Sequence, residues 1–151
     1  MSGAVGLCRL CIVNGGRARG LVRDVNPHTQ DSGRYVIQRH ARGNHVHWDF
    51  MLESGDSLRT WRIDVPPEQL LHAAAKASRI ADHPLRFLTY EGPVNQGAGT
   101  VAIADSGTYT VQAQSDDELE IRLQGRVLNG VFRMDDLGDG NYRLTPIATA
   151  P

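Results

Sequence analysis

An alternation of polar and apolar residues from His45 to Glu53, interrupted only at Met51, is the feature that most restricts how this chain can fold. Successive side chains of a β-strand point to opposite faces, so such a segment indicates a strand with only one face on a core. The apolar face consists of Val46, Trp48, Phe50 and Leu52. We predict that this face packs inside the protein.

The remainder of the chain is also rich in β signals. Residues 34–40 and 58–63 flank the alternating segment, and the three together indicate an antiparallel meander. Further short segments, each bounded by Gly, Asp or Asn, are 85–90, 100–104, 108–114, 118–123, 130–134 and 142–145. Many short strands at this spacing are typical of a barrel or a sandwich. Only residues 68–80 carry Leu and Ala at loosely helical spacing, so we predict a mainly β fold with one short helix.

The N-terminal region reads differently from the rest. Residues 14–33 are rich in Gly, Arg, Asn, Pro and Ser and show no sustained period. We therefore predict an N-terminal arm over residues 1–33 and a β domain over residues 34–151. Cys8 and Cys11 form a lone C-x-x-C, whereas a structural zinc site needs four ligands. We predict that both are reduced thiols, either buried or on the surface.

Composition limits the classes of function. The formal net charge of −1 argues against a long basic surface that coats nucleic acid, although a protein that grips only a strand end remains compatible with it. Lys76 is the only lysine, and two explanations of the arginine excess stay open: phosphate binding and the codon bias of a GC-rich genome. No apolar run approaches the roughly 20 residues that span a bilayer, and the first residues do not read as a secretory signal. We expect a cytoplasmic protein without membrane contact.

The polar face of the alternating segment carries candidate metal ligands. His45, His47 and Asp49 share that face, and His40 ends the preceding strand, about 5 Å away across a sheet. Imidazole and carboxylate are ligands that zinc, manganese and iron accept. Exposed strand faces also carry polar residues as routine. The residues alone leave a metal site and an ordinary polar surface both open.

Several motifs in the same order resemble one known family. They are Val36-Ile-Gln-Arg-His40, His47-Trp-Asp-Phe-Met-Leu-Glu53, Leu58-Arg-Thr-Trp61, Asp82-His-Pro-Leu85, Tyr90-Glu-Gly92, Leu123-Gln-Gly-Arg-Val-Leu-Asn-Gly-Val-Phe-Arg-Met134 and Tyr142-Arg-Leu144. Together they are similar to the 3′-phosphoesterase domain of bacterial DNA ligase D. The similarity runs from about Tyr35 to the end of the chain. Separate motifs in register make it more specific than any single motif.

The resemblance implies a fold, an activity and a set of site residues. The family has a small closed antiparallel β-barrel, uses a divalent metal, and removes 3′-phosphates and 3′-terminal ribonucleosides from DNA ends before end joining. His40, His47 and Asp49 match its metal ligands, while His40 and His83 match catalytic positions and His83 also contacts the phosphate. Manganese is the expected metal, with zinc or another transition metal as the alternative. The implied partners are DNA 3′ ends, including RNA-terminated ends, and a separate ligase or polymerase.

Two residues depart from the family pattern. Met51 replaces an arginine that faces the phosphate, and Phe87 replaces a tyrosine, so a cation and a hydroxyl are lost. Arg42, in a lengthened loop after His40, is a candidate substrate-binding replacement. The departures leave three expectations open: a phosphoesterase that is slow on the family's substrates, a metal- and nucleic-acid-end-binding module, or a phosphoesterase with a different substrate.

Overall fold

The computed structural model describes residues 31–147, and most of these residues lie in β-strands. The nine strands are β1 Ser32–Arg42, β2 His45–Ser54, β3 Ser57–Ile63, β4 Ala75–Pro84, β5 Gly92–Val94, β6 Gly99–Gln114, β7 Glu118–Gly125, β8 Asn129–Gly138 and β9 Asn141–Ile147. Three short 3₁₀ turns connect them, at Pro67–Leu71, Leu85–Leu88 and Asn95–Gly97. Within the described range, no helix has the length and apolar character needed to cross a membrane.

All the strands belong to one antiparallel sheet that closes on itself. The order is β1-β2-β3-β4-β9-β8-β7-β6-β5, and β1 also pairs with β6, so eight strands form a ring and β5 extends the pairing of β6. Gly43 and Gly55 open the two-residue turns between β1, β2 and β3 with φ of 57° and 63°. Glycine suits these positions because a side chain is disfavoured there. The predicted mainly β, antiparallel fold is confirmed.

Apolar side chains pack on both faces of the first three strands. The main core fills the face turned into the ring, where Phe50 and Leu52 are buried and Trp48 packs against them, as the alternation predicts. A second, smaller cluster covers the opposite face beneath the Leu85–Leu88 turn. It consists of Val36, Met51, Leu58, Phe87 and Leu88. The polar face of β2 therefore lies beside this second cluster, outside the ring.

The predicted helix over residues 68–80 is wrong. Pro67–Leu71 forms only a 3₁₀ turn, and Ala75–Pro84 is β4, which pairs with β3 on one side and β9 on the other. Leu70 and Ala77 are buried in the main core from separate elements. Tertiary pairing overrides the weak local preference of this segment, because β4 is needed to join β3 to β9.

Other predicted boundaries also shift. Residues 85–90, predicted as a strand, contain the Leu85–Leu88 turn, and the predicted strands 100–104 and 108–114 are parts of one long β6. Gly107 lies between those two parts, where an added Cβ would lie 2.0 Å from the carbonyl oxygen of Gln124 on β7. Gly107 suggests a turn in the sequence. In the structure it lies within a strand, and glycine is required there because the neighbouring strand β7 is too close for a side chain.

The N-terminal prediction is largely outside the described residues. β1 begins at Ser32, two positions before the start of the predicted β domain. Cys8 and Cys11 and most of the predicted arm, residues 1–33, fall outside the described range. The division into arm and domain stays a prediction.

Candidate metal centre

The predicted ligands His40, His47 and Asp49 converge on one point. The antiparallel register of β1 and β2 places His40 opposite His47 and Gln38 opposite Asp49. One ligand atom from each of the three residues lies within 4.8 Å of the others. His47 Nε2 is 3.4 Å from Asp49 Oδ1, and His40 Nδ1 is 4.0 Å from Asp49 Oδ2. Ligand atoms on one tetrahedral ion at about 2.1 Å would be about 3.4 Å apart, so this spacing suits a single ion.

One polar atom of each residue in the cluster is buried without a hydrogen-bond partner. Within residues 31–147 this holds for His40 Nε2, His47 Nε2 and Asp49 Oδ1. Asp49 is only 2% exposed, and burying a carboxylate with an unpartnered oxygen is costly unless a cation compensates it. Two imidazoles and one carboxylate are a donor set that divalent transition metals accept. These residues therefore fit a divalent metal.

The electrostatic surroundings of His47 favour its neutral form. Burial lowers the pKa of His47 most, and the nearby charges of Arg62 and His40 lower it further, while Asp49 and Asp64 oppose the shift. A neutral imidazole has the lone pair that metal binding requires. His47 is thus prepared to act as a ligand at neutral pH.

His83 faces the same cluster from β4. Its Nε2 lies 3.9 Å from Asp49 Oδ2, and its Nδ1 lies 3.1 Å from both the Ala81 carbonyl oxygen and the Thr60 hydroxyl. The Thr60 hydroxyl donates to the Leu58 carbonyl oxygen, so its oxygen can accept from His83. Because a carbonyl only accepts, the proton of the neutral ring belongs on Nδ1. Nε2 is left facing Asp49, in the arrangement typical of metal-binding histidines.

Aromatic side chains pack against His83, with Phe87 in contact with its ring and Tyr90 in contact with Phe87. The Phe87 ring packs edge-on against His83 and Tyr90, with centroid separations of 5.6 Å in each case. The buried Gln38 amide donates to the carbonyl oxygens of Phe87 and Tyr90, at 3.1 and 2.8 Å. Met51 is fully buried in the same cluster as Phe87. Met51 and Phe87, the two residues predicted to depart from the family pattern, therefore belong to one apolar cluster beside the candidate centre.

Two arginines differ in how they relate to the cluster. Arg62, on β3, has its Nε 3.9 Å from Asp49 Oδ1 and was not singled out from the sequence. Aligning the β2–β3 hairpin would have identified Arg62, because the register pairs it directly with Asp49. Arg42 is exposed and pairs with the exposed His45 at the end of the β1–β2 hairpin. Its substrate-binding role stays a prediction.

Because Gly99 on β6 has no side chain, there is room beside it for the His40 ring. A Cβ at this position would lie 2.9 Å from His40 Nε2 and 3.2 Å from the Ala41 carbonyl oxygen. We expect Gly99→Ala to displace the His40 ring and to weaken Mn²⁺ binding by about 10- to 100-fold, the usual effect of disturbing the support of a metal ligand. Isothermal titration calorimetry measures this, with the exposed neighbour Thr100→Ala as the control. Equal Mn²⁺ affinity in Gly99→Ala and wild type would show that the His40 position is not critical.

Fold and cluster together define an antiparallel β domain with a His/Asp centre suited to a divalent metal. The sequence profile of the DNA Ligase D 3′-phosphoesterase domain matches residues 38–135. This chain belongs to that family, and the resemblance seen in its motifs is confirmed.

Curated relatives agree with the family assignment. The Multifunctional non-homologous end joining DNA repair protein LigD of Mycobacterium tuberculosis is 33% identical over 115 residues, which cover 72% of this chain and 15% of the relative. The Multifunctional non-homologous end joining protein LigD of Pseudomonas aeruginosa is 35% identical over 111 residues, covering 67% of this chain and 13% of the relative. The similarity thus concerns a small part of these much longer proteins.

Proposed function

We propose that this protein is a divalent-metal-dependent 3′-phosphoesterase that removes a 3′-phosphate or a terminal ribonucleotide from DNA ends. The convergence of His40, His47 and Asp49, with buried polar atoms that lack hydrogen-bond partners within residues 31–147, is the observation that carries the proposal. The family supplies the reaction class, and relatives named for non-homologous end joining supply the setting of DNA end repair. A separate ligase or polymerase would act on the processed ends, in the cytoplasm.

Each residue of the site would have a distinct task. His40, His47 and Asp49 would hold the metal, which when bound polarises a phosphoryl oxygen and lowers the pKa of a coordinated water. In the imidazolium form, His83 Nε2–H would donate a hydrogen bond to a phosphate oxygen and a proton to the departing 3′-oxygen. The contact between His83 Nδ1 and the Ala81 carbonyl oxygen supports this orientation of the ring.

Manganese is the metal that we propose, following the family. The donor set of imidazole and carboxylate also accepts zinc and other transition metals, and availability often selects among them. Parallel titrations with Mn²⁺ and Zn²⁺, each followed by a hydrolysis assay, distinguish the metal that binds from the metal that supports turnover.

A second candidate function is a metal- and DNA-end-binding module without efficient turnover. The complete burial of Met51 and the apolar contact of Phe87 with His83 favour it, because neither side chain offers a charge or a hydrogen bond to phosphate. Under this alternative the metal centre would recognise the strand end and hydrolysis would be lost or slow.

The test of the proposed function is hydrolysis by the full chain with Mn²⁺. Its substrates are DNA primers ending in a 3′-phosphate, a terminal ribonucleotide or an unmodified 3′-hydroxyl. We expect phosphate release from the first primer and removal of the ribonucleoside from the second, both abolished by a chelator. His83→Ala should lower the rate by about 10²-fold or more while Mn²⁺ binding persists, because it removes a proton donor. His45→Ala, an exposed histidine on β2, is the matched control.

The outcomes separate the two candidate functions. Mn²⁺-dependent binding of the 3′-phosphorylated primer without product would favour the binding module. Absence of both Mn²⁺ binding and hydrolysis would overturn both candidates.

A further inference from the structure

Arg62 stands beside the candidate metal centre in a position that the proposed mechanism leaves unused. It is the only lysine or arginine in residues 31–147 whose side chain lies within 4.0 Å of the Asp49 carboxylate. The Arg62 side chain is 45% exposed, whereas that of Asp49 is 3% exposed. The guanidinium thus reaches from solvent to the edge of a buried anionic group.

The contact with Asp49 leaves most of the guanidinium available. It runs through Nε at 3.9 Å, which is longer than a hydrogen bond and unlike the forked geometry of a strong arginine–carboxylate pair. The two terminal nitrogens carry four N–H donors beyond that contact. A cation held by His40, His47 and Asp49 would engage the carboxylate and weaken its attraction for Arg62. The free donors would then favour an anion bound at the same centre.

We propose that Arg62 binds a non-bridging oxygen of the phosphate at this centre and makes the site selective for phosphate monoesters. The inference rests on the proposed function. Position 51 cannot supply a cation, since Met51 is fully buried among apolar side chains. Arg62 fills that role from the neighbouring strand, because the β2–β3 register sets it opposite Asp49.

Charge explains the selectivity. A 3′-phosphate monoester carries a charge near −2 at neutral pH, while the phosphodiester that joins a terminal ribonucleotide carries −1. The exposed Asp64 carboxylate acts to raise the pKa of the nearby His47, so a negative charge also lies at the exposed edge of the metal centre. Removing the positive charge of Arg62 therefore penalises the monoester more than the diester, because the lost Coulomb attraction scales with the charge of the ligand.

The experiment compares Arg62→Ala and Arg62→Lys with one control variant, Arg122→Ala, and one variant of the competing candidate, Arg42→Ala, in the full chain. Calorimetry measures inorganic phosphate binding to the Mn²⁺-loaded protein, and steady-state kinetics follow the 3′-phosphate and ribonucleotide primers. Arg122→Ala removes an exposed arginine on β7, on another part of the ring, and Arg42→Ala tests the arginine that the sequence suggested.

We expect Arg62→Ala to weaken phosphate binding at least about 10-fold and to lower kcat/KM for the monoester by roughly 10²-fold, in the range known for loss of one anion-stabilising donor. The loss on the diester should be several-fold smaller. Arg62→Lys should recover part of the phosphate affinity because it restores the charge without the fork. Mn²⁺ affinity should stay within a few-fold of wild type in both variants.

The outcomes distinguish this inference from the proposed function. Three results would overturn the inference: unchanged phosphate binding in Arg62→Ala, no phosphate binding by the wild type, or equal losses of kcat/KM on the two primers. If the wild type still hydrolyses the primers when Arg62→Ala binds phosphate normally or loses equally on both primers, the proposed function stays intact. Loss of phosphate binding in Arg42→Ala but not in Arg62→Ala would assign the role to Arg42 instead. Phosphate binding that depends on Arg62 in a wild type unable to hydrolyse either primer would defeat the proposed function alone.

Discussion

Asp49→Asn is expected to abolish Mn²⁺ binding and to reduce hydrolysis of a 3′-phosphorylated primer by at least roughly 10³-fold. The carboxylate supplies the only anionic ligand of the cluster, and the amide keeps its shape but not its charge. Loss of a bound metal removes several kcal/mol of charge stabilisation, which corresponds to a factor of this size. Calorimetric titration with Mn²⁺ and a phosphate-release assay measure the two effects.

The same variant is expected to keep the stability of the metal-free protein. Asp49 is buried, and its Oδ1 has no hydrogen-bond partner within residues 31–147, so the amide removes a buried charge that the 3.9 Å contact with Arg62 offsets only in part. Saturating Mn²⁺ should raise the unfolding free energy of the wild type by about 2.7 kcal/mol at a free concentration 100 times Kd, and should leave Asp49→Asn unchanged. Asp56→Asn, an exposed carboxylate in the β2–β3 turn, is the control. Mn²⁺ stabilisation that persists in Asp49→Asn would refute the assigned centre.

The convergence of His40, His47 and Asp49 could be predicted because these residues are local in sequence. Alternation along β2 fixes the face shared by His47 and Asp49, and a short hairpin brings His40 directly opposite His47. Only the pairing of two consecutive strands is needed. The prediction therefore survives the errors made elsewhere in the chain.

Of the residues beside the cluster, His83 depends on a pairing that the sequence does not reveal by itself. His83 comes from the end of β4, a strand whose first part, residues 75–80, local spacing assigned to a helix, and only the family resemblance pointed to this histidine. Arg62 lies opposite Asp49 through the β2–β3 register, so it becomes visible once that hairpin is aligned. The error over residues 68–80 has a similar origin, because pairing of β4 with both β3 and β9 decides its conformation.

Asp105 is expected to be the polar residue whose loss most destabilises the ring. It is 1% exposed and lies on β6, the strand that closes the ring against β1. Its Oδ2 accepts from the Tyr35 hydroxyl at 2.6 Å and from the Leu128 amide at 3.0 Å, and its Oδ1 accepts from the Val127 amide at 2.9 Å. One carboxylate thus joins β1, β6 and the β7–β8 connection.

Asp105→Ala leaves these three donors without their acceptor and should lower the unfolding free energy by about 3–5 kcal/mol. Urea unfolding followed by circular dichroism measures the loss. Asp105→Asn keeps one carbonyl acceptor and should lie between Asp105→Ala and wild type. Asp116→Ala, an exposed carboxylate between β6 and β7, should change stability by less than about 0.5 kcal/mol. A loss of unfolding free energy below about 1 kcal/mol in Asp105→Ala would show that the closure of the ring between β1 and β6 does not depend on this carboxylate.

Alkaline pH tests the same link without removing Asp105. Burial raises the pKa of Tyr35, and the hydrogen bond to Asp105 and the nearby carboxylate charge raise it further. Because the folded pKa lies above the unfolded value of about 10, this stabilisation is complete below pH 10 and is lost as the pH rises beyond it. Tyr109, whose pKa burial raises to about 12, adds to the loss in every variant. Stability should therefore fall less steeply above pH 10 in Tyr35→Phe than in wild type, and identical slopes would mean that the Tyr35–Asp105 pair does not stabilise the folded ring.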